Sequence, residues 1–201
     1  MTTVFKVVRV VSSSPLVLIL VPARELALQT ARIVKQFGEN LKINSMCCFG
    51  GQSLEEDLFR LQKGIHVIVG TAARILDLTK RGYCNLSRCK YFVLDEADKM
   101  LSDNFLPIVE DLINFLPKER QIMLFSATFP TTVKRFCDSY MNAPVMINTM
   151  EELTLQGVTQ YYVFLEERQK VNALHTLFSK LEVNQSIIFC NSVARVELLA
   201  K

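Results

Sequence analysis

The 201-residue chain is 50% hydrophobic and 21% charged, and its 23 Lys plus Arg against 20 Asp plus Glu leave a formal charge of +3. That apolar content excludes a chain dominated by disorder, and the length suffices for a packed core without disulfides or metals. So small a charge excess does not point to nucleic acid, membrane or any other charged partner, so partners must be read from local motifs.

The first fifteen residues carry Val4, Phe5, Val7, Val8, Val10 and Val11, a set with strong strand propensity. Lys6 and Arg9 interrupt the apolar region, so it does not read as a signal peptide. Leu16 to Val21 is a buried strand by pattern, ended by Pro22, and falls short of the roughly 20 apolar residues a membrane helix needs. Pro22 opens a helix with Ala27, Ala31 and Val34 on one face and Gly38 at its close. Ile43, Cys47 and Phe49 suggest a second strand, broken by Gly50 and Gly51. Ser53 with Glu56 has capping-box spacing before a helix striped by Leu54, Leu58 and Leu61. Strands are expected at Val67 to Val69, Tyr91 to Leu94, Gln121 to Phe125 and Val145 to Ile147, with a segment of helical length between each pair. Such alternation predicts an α/β fold, a parallel sheet with helices on both faces.

Residues 148 to 157 are polar, end in Gly and read as a linker. Beyond it, Val158 to Leu165 and Ser186 to Cys190 are expected as strands. Gln169 to Lys180 is expected as a helix with Val171, Leu174, Leu177 and Phe178 inward, and a further helix starts at Val193. About 45 residues is near the lower limit for an independent core, so this part reads as the opening of a second domain. The six Cys at 47, 48, 84, 89, 137 and 190 lack zinc-site spacing. They are expected to be reduced, mostly buried thiols of an intracellular protein, in which the sequons at Asn85 and Asn184 carry no meaning. His66 and His175 lack nearby nucleophiles or ligand spacing and read as ordinary structural residues.

The chemistry concentrates after two apolar strands. Tyr91 to Leu94 delivers Asp95, Glu96, Ala97 and Asp98 at its carboxyl end, the edge where open parallel sheets bind ligands. One carboxylate there can hold a hydrated magnesium ion on nucleotide phosphates while another orients a water. An isolated Asp-Glu pair is more often an acidic helix start. Gln121 to Phe125 shifts that balance, because it ends in Ser126, Ala127 and Thr128, whose hydroxyls can bond a neighbouring carboxylate.

The combination YFVLDEADKM and MLFSATFP resembles the DEAD-box RNA helicases, ATP-driven remodellers of RNA built from two RecA-like domains of the P-loop NTPase type. PARELALQ at 22 to 29, Gly50 and Gly51, TAARILDL at 71 to 78 and IIFCNS at 187 to 192 resemble further motifs of that family in the same order. MEELTLQGVTQYY and NQSIIFCNS resemble its cytoplasmic RCK-type subgroup, associated with translational repression, mRNA decapping and processing bodies.

The resemblance implies a non-family segment at 1–15, a first RecA-like domain at 16–147 that lacks its N-terminal part, a linker at 148–157, and a second RecA-like domain begun at 158–201. It implies ATP and magnesium as cofactors. Asp95 would hold the metal through water, Glu96 would activate the hydrolytic water, and Asp98 would link to Ser126 and Thr128 to couple hydrolysis to duplex opening. Arg24, Gly50, Gly51, Thr71 and Arg74 would grip the RNA sugar-phosphate backbone without reading sequence. No DNA or membrane partner is implied; decapping and repression proteins are.

Departures from the family pattern bear on activity. No G-x-x-x-x-G-K-[ST] loop occurs in the 201 residues. Three lost backbone donors alone would cost about 5 kcal/mol of phosphate binding, so this chain by itself is expected neither to hydrolyse ATP nor to unwind RNA. The family's later arginines would lie beyond Lys201. Ala23, Ala72 and Ala73 stand where the family has Thr, Pro and Gly, and the methyl of Ala73 could block a close backbone approach or oppose a dihedral that only Gly accepts easily. A strand preceding a phosphate loop would sit mid-sheet, and Val4 to Val11 is the expected surrogate for it. The alternatives are a non-catalytic RNA- or protein-binding remnant and a truncated gene product.

Overall fold

The computed structural model describes residues 15–149, 157–182 and 184–200, in two compact units, Met1–Glu151 and Glu152–Lys201. In the first unit β1 (Val17–Leu20), β2 (Ser45–Cys48), β3 (Val67–Gly70), β4 (Tyr91–Asp95) and β5 (Gln121–Phe125) form one sheet of order β2-β3-β1-β4-β5. Every pairing is parallel, with Leu20 opposite both Gly70 and Leu94, and Asp95 opposite Phe125. The continuous apolar runs of β1 and β3 are buried on both faces, as central parallel strands must be. The surrogate strand expected at Val4 to Val11 lies outside the described residues.

Alternation along the strands divides the core. Leu18, Leu20, Met46, Cys48, Ile68, Phe92 and Leu94 pack with Ile75 and Leu78 of α3 (Ala72–Lys80), Val109 and Leu112 of α5 (Leu106–Asn114), and Val133 and Phe136 of α6 (Thr131–Tyr140). Val17, Ile19, Val67, Val69 and Val93 point the other way and meet Val34 of α1 (Arg24–Gly38). Helices therefore cover both faces, as the alternating pattern predicts. The remaining helices of this unit are α2 (Leu54–Gln62) and the single turn α4 (Ala97–Met100).

Local expectations are corrected at several points. Ser53 is the N-cap of α2 but its side chain makes no capping bond, and the Glu56 carboxylate accepts Arg60 Nη2 at 3.1 Å instead of reaching back, so neither bond of a capping box forms. The second strand forms at Ser45–Cys48, buries Met46 and Cys48 and leaves Cys47 half-buried. Val145 to Ile147 is not a strand: its residues are 92%, 66% and 87% exposed, since among the described residues β5 pairs only with β4 and no strand lies beyond it to supply ladder partners.

The second unit holds α7 (Lys170–Lys180), preceded by a capped turn at Glu167–Gln169, and α8 (Val193–Leu199). The strands expected at Val158 to Leu165 and Ser186 to Cys190 do not form, and Phe164 and Phe189 stay 97% and 90% exposed. Of the residues expected inward on α7, only Leu174 is half-buried; Val171, Leu177 and Phe178 are exposed. Parallel strands need neighbours to satisfy their backbone and to give a helix a surface to cover.

The cysteines of the described residues are free thiols. Burial pushes Cys84 up to about 11 and Cys89 to about 12, so these are inert core groups rather than nucleophiles. His66 is buried and its Nδ1 accepts the Asn44 amide at 2.9 Å, tying β2 to β3. No helix of the described residues is long and apolar enough to cross a membrane.

Candidate nucleotide and RNA site

Parallel strands bring the loops that follow them to one edge of the sheet, so residues far apart in sequence meet there. Asp95 ends β4 and pairs with Phe125, which sets the following Ser126 beside the following Glu96 and Asp98. Asp98 Oδ1 accepts Ser126 Oγ and Oδ2 accepts Thr128 Oγ1, both at 2.9 Å, while the Asp98 amide donates to Ser126 Oγ at 3.2 Å. The expected link from Asp98 to both hydroxyls is therefore present.

Asp95 Oδ1 accepts the Glu96 amide at 3.0 Å, and Glu96 adopts a left-handed backbone, φ 53° and ψ 51°. A non-glycine residue held there stores strain of order 1 kcal/mol or more, a feature that clusters at functional sites. The turn swings the Glu96 carboxylate onto Lys99 Nζ at 2.8 Å. Lys99 is raised above its ordinary value by that hydrogen bond and then by the charge of Glu96.

Burial alone would raise the Asp98 carboxyl, but hydrogen bonds from Thr128, Ser126 and the Lys99 amide, with the Lys99 charge, hold it below the ordinary aspartate value. A carboxylate depressed in the folded state contributes stability that is present above its unfolded-state value and lost as pH falls through the lower folded one. A carbon-13 NMR titration of the full chain is expected to place the Asp98 midpoint below an unstructured aspartate, and Thr128→Ala to move it back up. An unmoved midpoint in Thr128→Ala would show that the Thr128 bond does not hold the charge.

The described residues contain no group of three or more His, Cys, Asp or Glu able to grip a metal directly. Magnesium suits what is present: it keeps most of its waters and is commonly held by one or two carboxylates together with substrate phosphates. Asp95, whose Oδ1 accepts the Glu96 amide and whose Oδ2 has no hydrogen-bond partner among the described residues, offers that kind of contact.

The second cluster lies where the loops after β1, β2 and β3 converge. Arg24 starts α1, is exposed, and forms no ion pair among the described residues, with Glu25 or any other acid. Its guanidinium lies over Gly51: a Cβ built on Gly51 would stand 3.2 Å from both Nη atoms, and Gly51 has φ +90°. Thr71 is the N-cap of α3, where its amide donates to the Cys48 carbonyl at 3.0 Å and its hydroxyl makes no capping bond. These residues present a cation, an open backbone loop and a hydroxyl on one surface.

Arg74 behaves differently. Its side chain is 13% exposed, with Nη2 2.9 Å and Nε 3.0 Å from Oδ2 of the fully buried Asp57, and with Nη2 donating to the Gln52 carbonyl at 3.4 Å. Asp57 was not legible as a site residue. Its signal is a carboxylate on the Leu54, Leu58 and Leu61 face of α2, where an apolar residue fits the pattern. Ala73 lies within α3 and is absent from the positive-φ residues, so the dihedral part of the expectation at this position is corrected.

The DEAD/DEAH box helicase family model matches residues 1–136. The chain is 60% identical over 185 residues to DEAD-box ATP-dependent RNA helicase 6 of Oryza sativa subsp. japonica, covering 92% of this chain and 37% of that protein. It is 61% identical to ATP-dependent RNA helicase DHH1 of Coccidioides immitis, covering 92% and 36%, and 60% identical to the probable ATP-dependent RNA helicase ddx6 of Dictyostelium discoideum, covering 92% and 44%. The chain thus spans well under half the length of these curated relatives. Among solved structures, S. cerevisiae Dbp5 bound to RNA and ADP BeF3 superposes with a TM-score of 0.81 at 32% identity, over 99% of this chain and 50% of that one. The RecA-like sheet, the Asp95–Thr128 cluster and the family match over most of the sequence lead to one conclusion: this chain belongs to the DEAD/DEAH box helicase family.

Proposed function

We propose that the chain works in ATP-driven remodelling of RNA, in the setting of mRNA repression and decay in the cytoplasm, with residues 16–147 as a RecA-like domain, 148–157 as linker and 158–201 as the opening of a second. Arg24, Gly50, Gly51 and Thr71 contact the sugar-phosphate backbone, which explains action on RNA of many sequences. Asp95 would hold magnesium through water, Glu96 would orient the hydrolytic water, and Asp98 with Ser126 and Thr128 would couple nucleotide state to RNA, in an ATP site whose G-x-x-x-x-G-K-[ST] loop the 201 residues do not contain, so this chain by itself is proposed not to hydrolyse ATP. Processing bodies are the proposed location, and decapping or repression proteins the proposed partners.

The observation that carries this reading is the unpaired Arg24 guanidinium resting on Gly51, at the sheet edge where Thr71 also starts its helix. A charge so placed, with no acid to neutralise it, suits a phosphate. Binding of a fluorescent oligouridine to the full chain, followed by anisotropy over a salt series, tests it. Arg24→Ala is expected to weaken binding about tenfold, as loss of one charge-assisted bond does. The slope of log affinity against log salt is expected to fall by about 0.7, as for one lost phosphate contact on a single strand. A slope equal to that of the parent chain would remove Arg24 from the RNA surface and with it this reading.

A further inference from the structure

Asp57 is the one fully buried carboxylate among the described core residues, and neither the acid cluster nor the RNA surface uses it. Burying a carboxylate is costly unless it is paired, so its partners indicate what it is retained for. Oδ2 receives Arg74 Nε at 3.0 Å and Nη2 at 2.9 Å, and the Cys48 thiol at 3.6 Å. Oδ1 has no hydrogen-bond partner, and Arg60 Nη1 stands 3.9 Å from it. Burial first, then the Asp57 charge, pushes the Cys48 thiol up, which keeps it a neutral donor.

These partners come from three elements. Cys48 ends β2, Asp57 lies on α2, and Arg74 lies on α3, one turn after Thr71. Between Cys48 and Asp57 runs the loop that holds Gly50 and Gly51. Arg74 Nη2 reaches into it and bonds the Gln52 carbonyl at 3.4 Å, while the Gln52 side chain accepts the Phe49 amide at 3.3 Å. The loop is thus tied at both ends, and the tie at its far end is anchored on Asp57.

We propose that Asp57 is a positioning residue for RNA binding: its buried carboxylate orients Arg74, and Arg74 holds the Gly50–Gln52 loop in the conformation on which Arg24 rests. Arg74 then acts mainly as a strut rather than as a phosphate contact. The proposal depends on the reading of Arg24, Gly51 and Thr71 as the RNA surface. It adds that affinity depends on a residue that never meets RNA.

The salt dependence separates positioning from contact, because only a lost phosphate contact lowers the slope. In the full chain, Asp57→Asn keeps the shape of the side chain and one acceptor while removing the charge. It is expected to weaken oligouridine binding about threefold to tenfold, the cost of ordering a loosened loop on binding, with the salt slope unchanged. Amide hydrogen exchange is expected to quicken at residues 50–53 and to stay slow in β1, β3 and β4. Arg74→Lys keeps the charge but not the fork that bridges Asp57 and the Gln52 carbonyl; it is expected to weaken binding similarly, again without a change in slope, and it decides the matter if Asp57→Asn does not fold. Parent-like affinity in both variants, while Arg24→Ala weakens binding, overturns the positioning role and leaves the RNA surface standing. Arg74→Gln removes the charge, and a slope that falls in that variant shows direct contact by Arg74 and also overturns it. If the chain shows no oligouridine binding, or Arg24→Ala is indistinguishable from the parent, the RNA surface itself fails and the positioning role falls with it.

Discussion

Gly70→Ala is expected to destabilise the first unit by about 4 kcal/mol, the sum of severe overpacking and one lost backbone hydrogen bond. Gly70 ends β3 opposite Cys48 of β2 and Leu20 of β1. A Cβ there would stand 1.9 Å from the Cys48 carbonyl oxygen and 2.9 Å from its carbon, with Ile75 Cδ1 at 3.1 Å on the third side. The carbonyl cannot retreat freely, because it accepts the Thr71 amide at 3.0 Å and so sets the start of α3. Relief requires parting β3 from the edge strand β2. For a chain of this size the melting temperature should drop by roughly 8 to 16 °C. Gly82→Ala is the comparison: at φ +78° it is strained, but its Cβ would meet nothing within 4 Å, so about 1 to 2 kcal/mol is expected. Urea denaturation of both variants, followed by circular dichroism, checks the order, and equal midpoints would mean that the strand edge absorbs the methyl.

Gly51→Val is expected to leave the fold intact and to weaken RNA binding by at least about tenfold. Two causes act together. The loop holds φ +90° at this position, where a β-branched residue is a genuine outlier, and the new side chain would occupy the space 3.2 Å from the Arg24 guanidinium. Either the loop changes conformation or Arg24 is displaced, and the proposed phosphate contact is lost in both cases. Gly50→Ala is expected to cost less, since its Cβ would enter open space. Anisotropy titrations with oligouridine rank the two, and an unchanged affinity in Gly51→Val would detach this loop from RNA.

Much of the first unit was legible in the sequence because its strands are short, fully apolar and punctuated. Val17–Leu20, Val67–Gly70 and Tyr91–Asp95 fall where apolar runs end in Pro22, Thr71 and Glu96. The Asp98 link to Ser126 and Thr128 was also legible, because both motifs end adjacent parallel strands, which places them side by side. Val145 to Ile147, Val158 to Leu165 and Ser186 to Cys190 were misread for one shared reason. Strand propensity reports only that a segment fits a sheet; a sheet neighbour is needed to make it a strand.

By itself, then, the sequence determined the parallel α/β architecture of the first unit, the family, and the carboxylate and hydroxyl groups gathered at one sheet edge, since these follow from periodicity and from the order of motifs. Only the tertiary structure decided which way Arg74 faces, that Asp57 is buried beneath it, that Glu96 is left-handed, and that Gly70 and Gly51 are intolerant for different reasons. The physical reason is range. Periodicity records which face a residue takes within its own helix or strand, whereas Arg74 chooses Asp57, seventeen residues away, over solvent because a buried carboxylate needs a counter-charge.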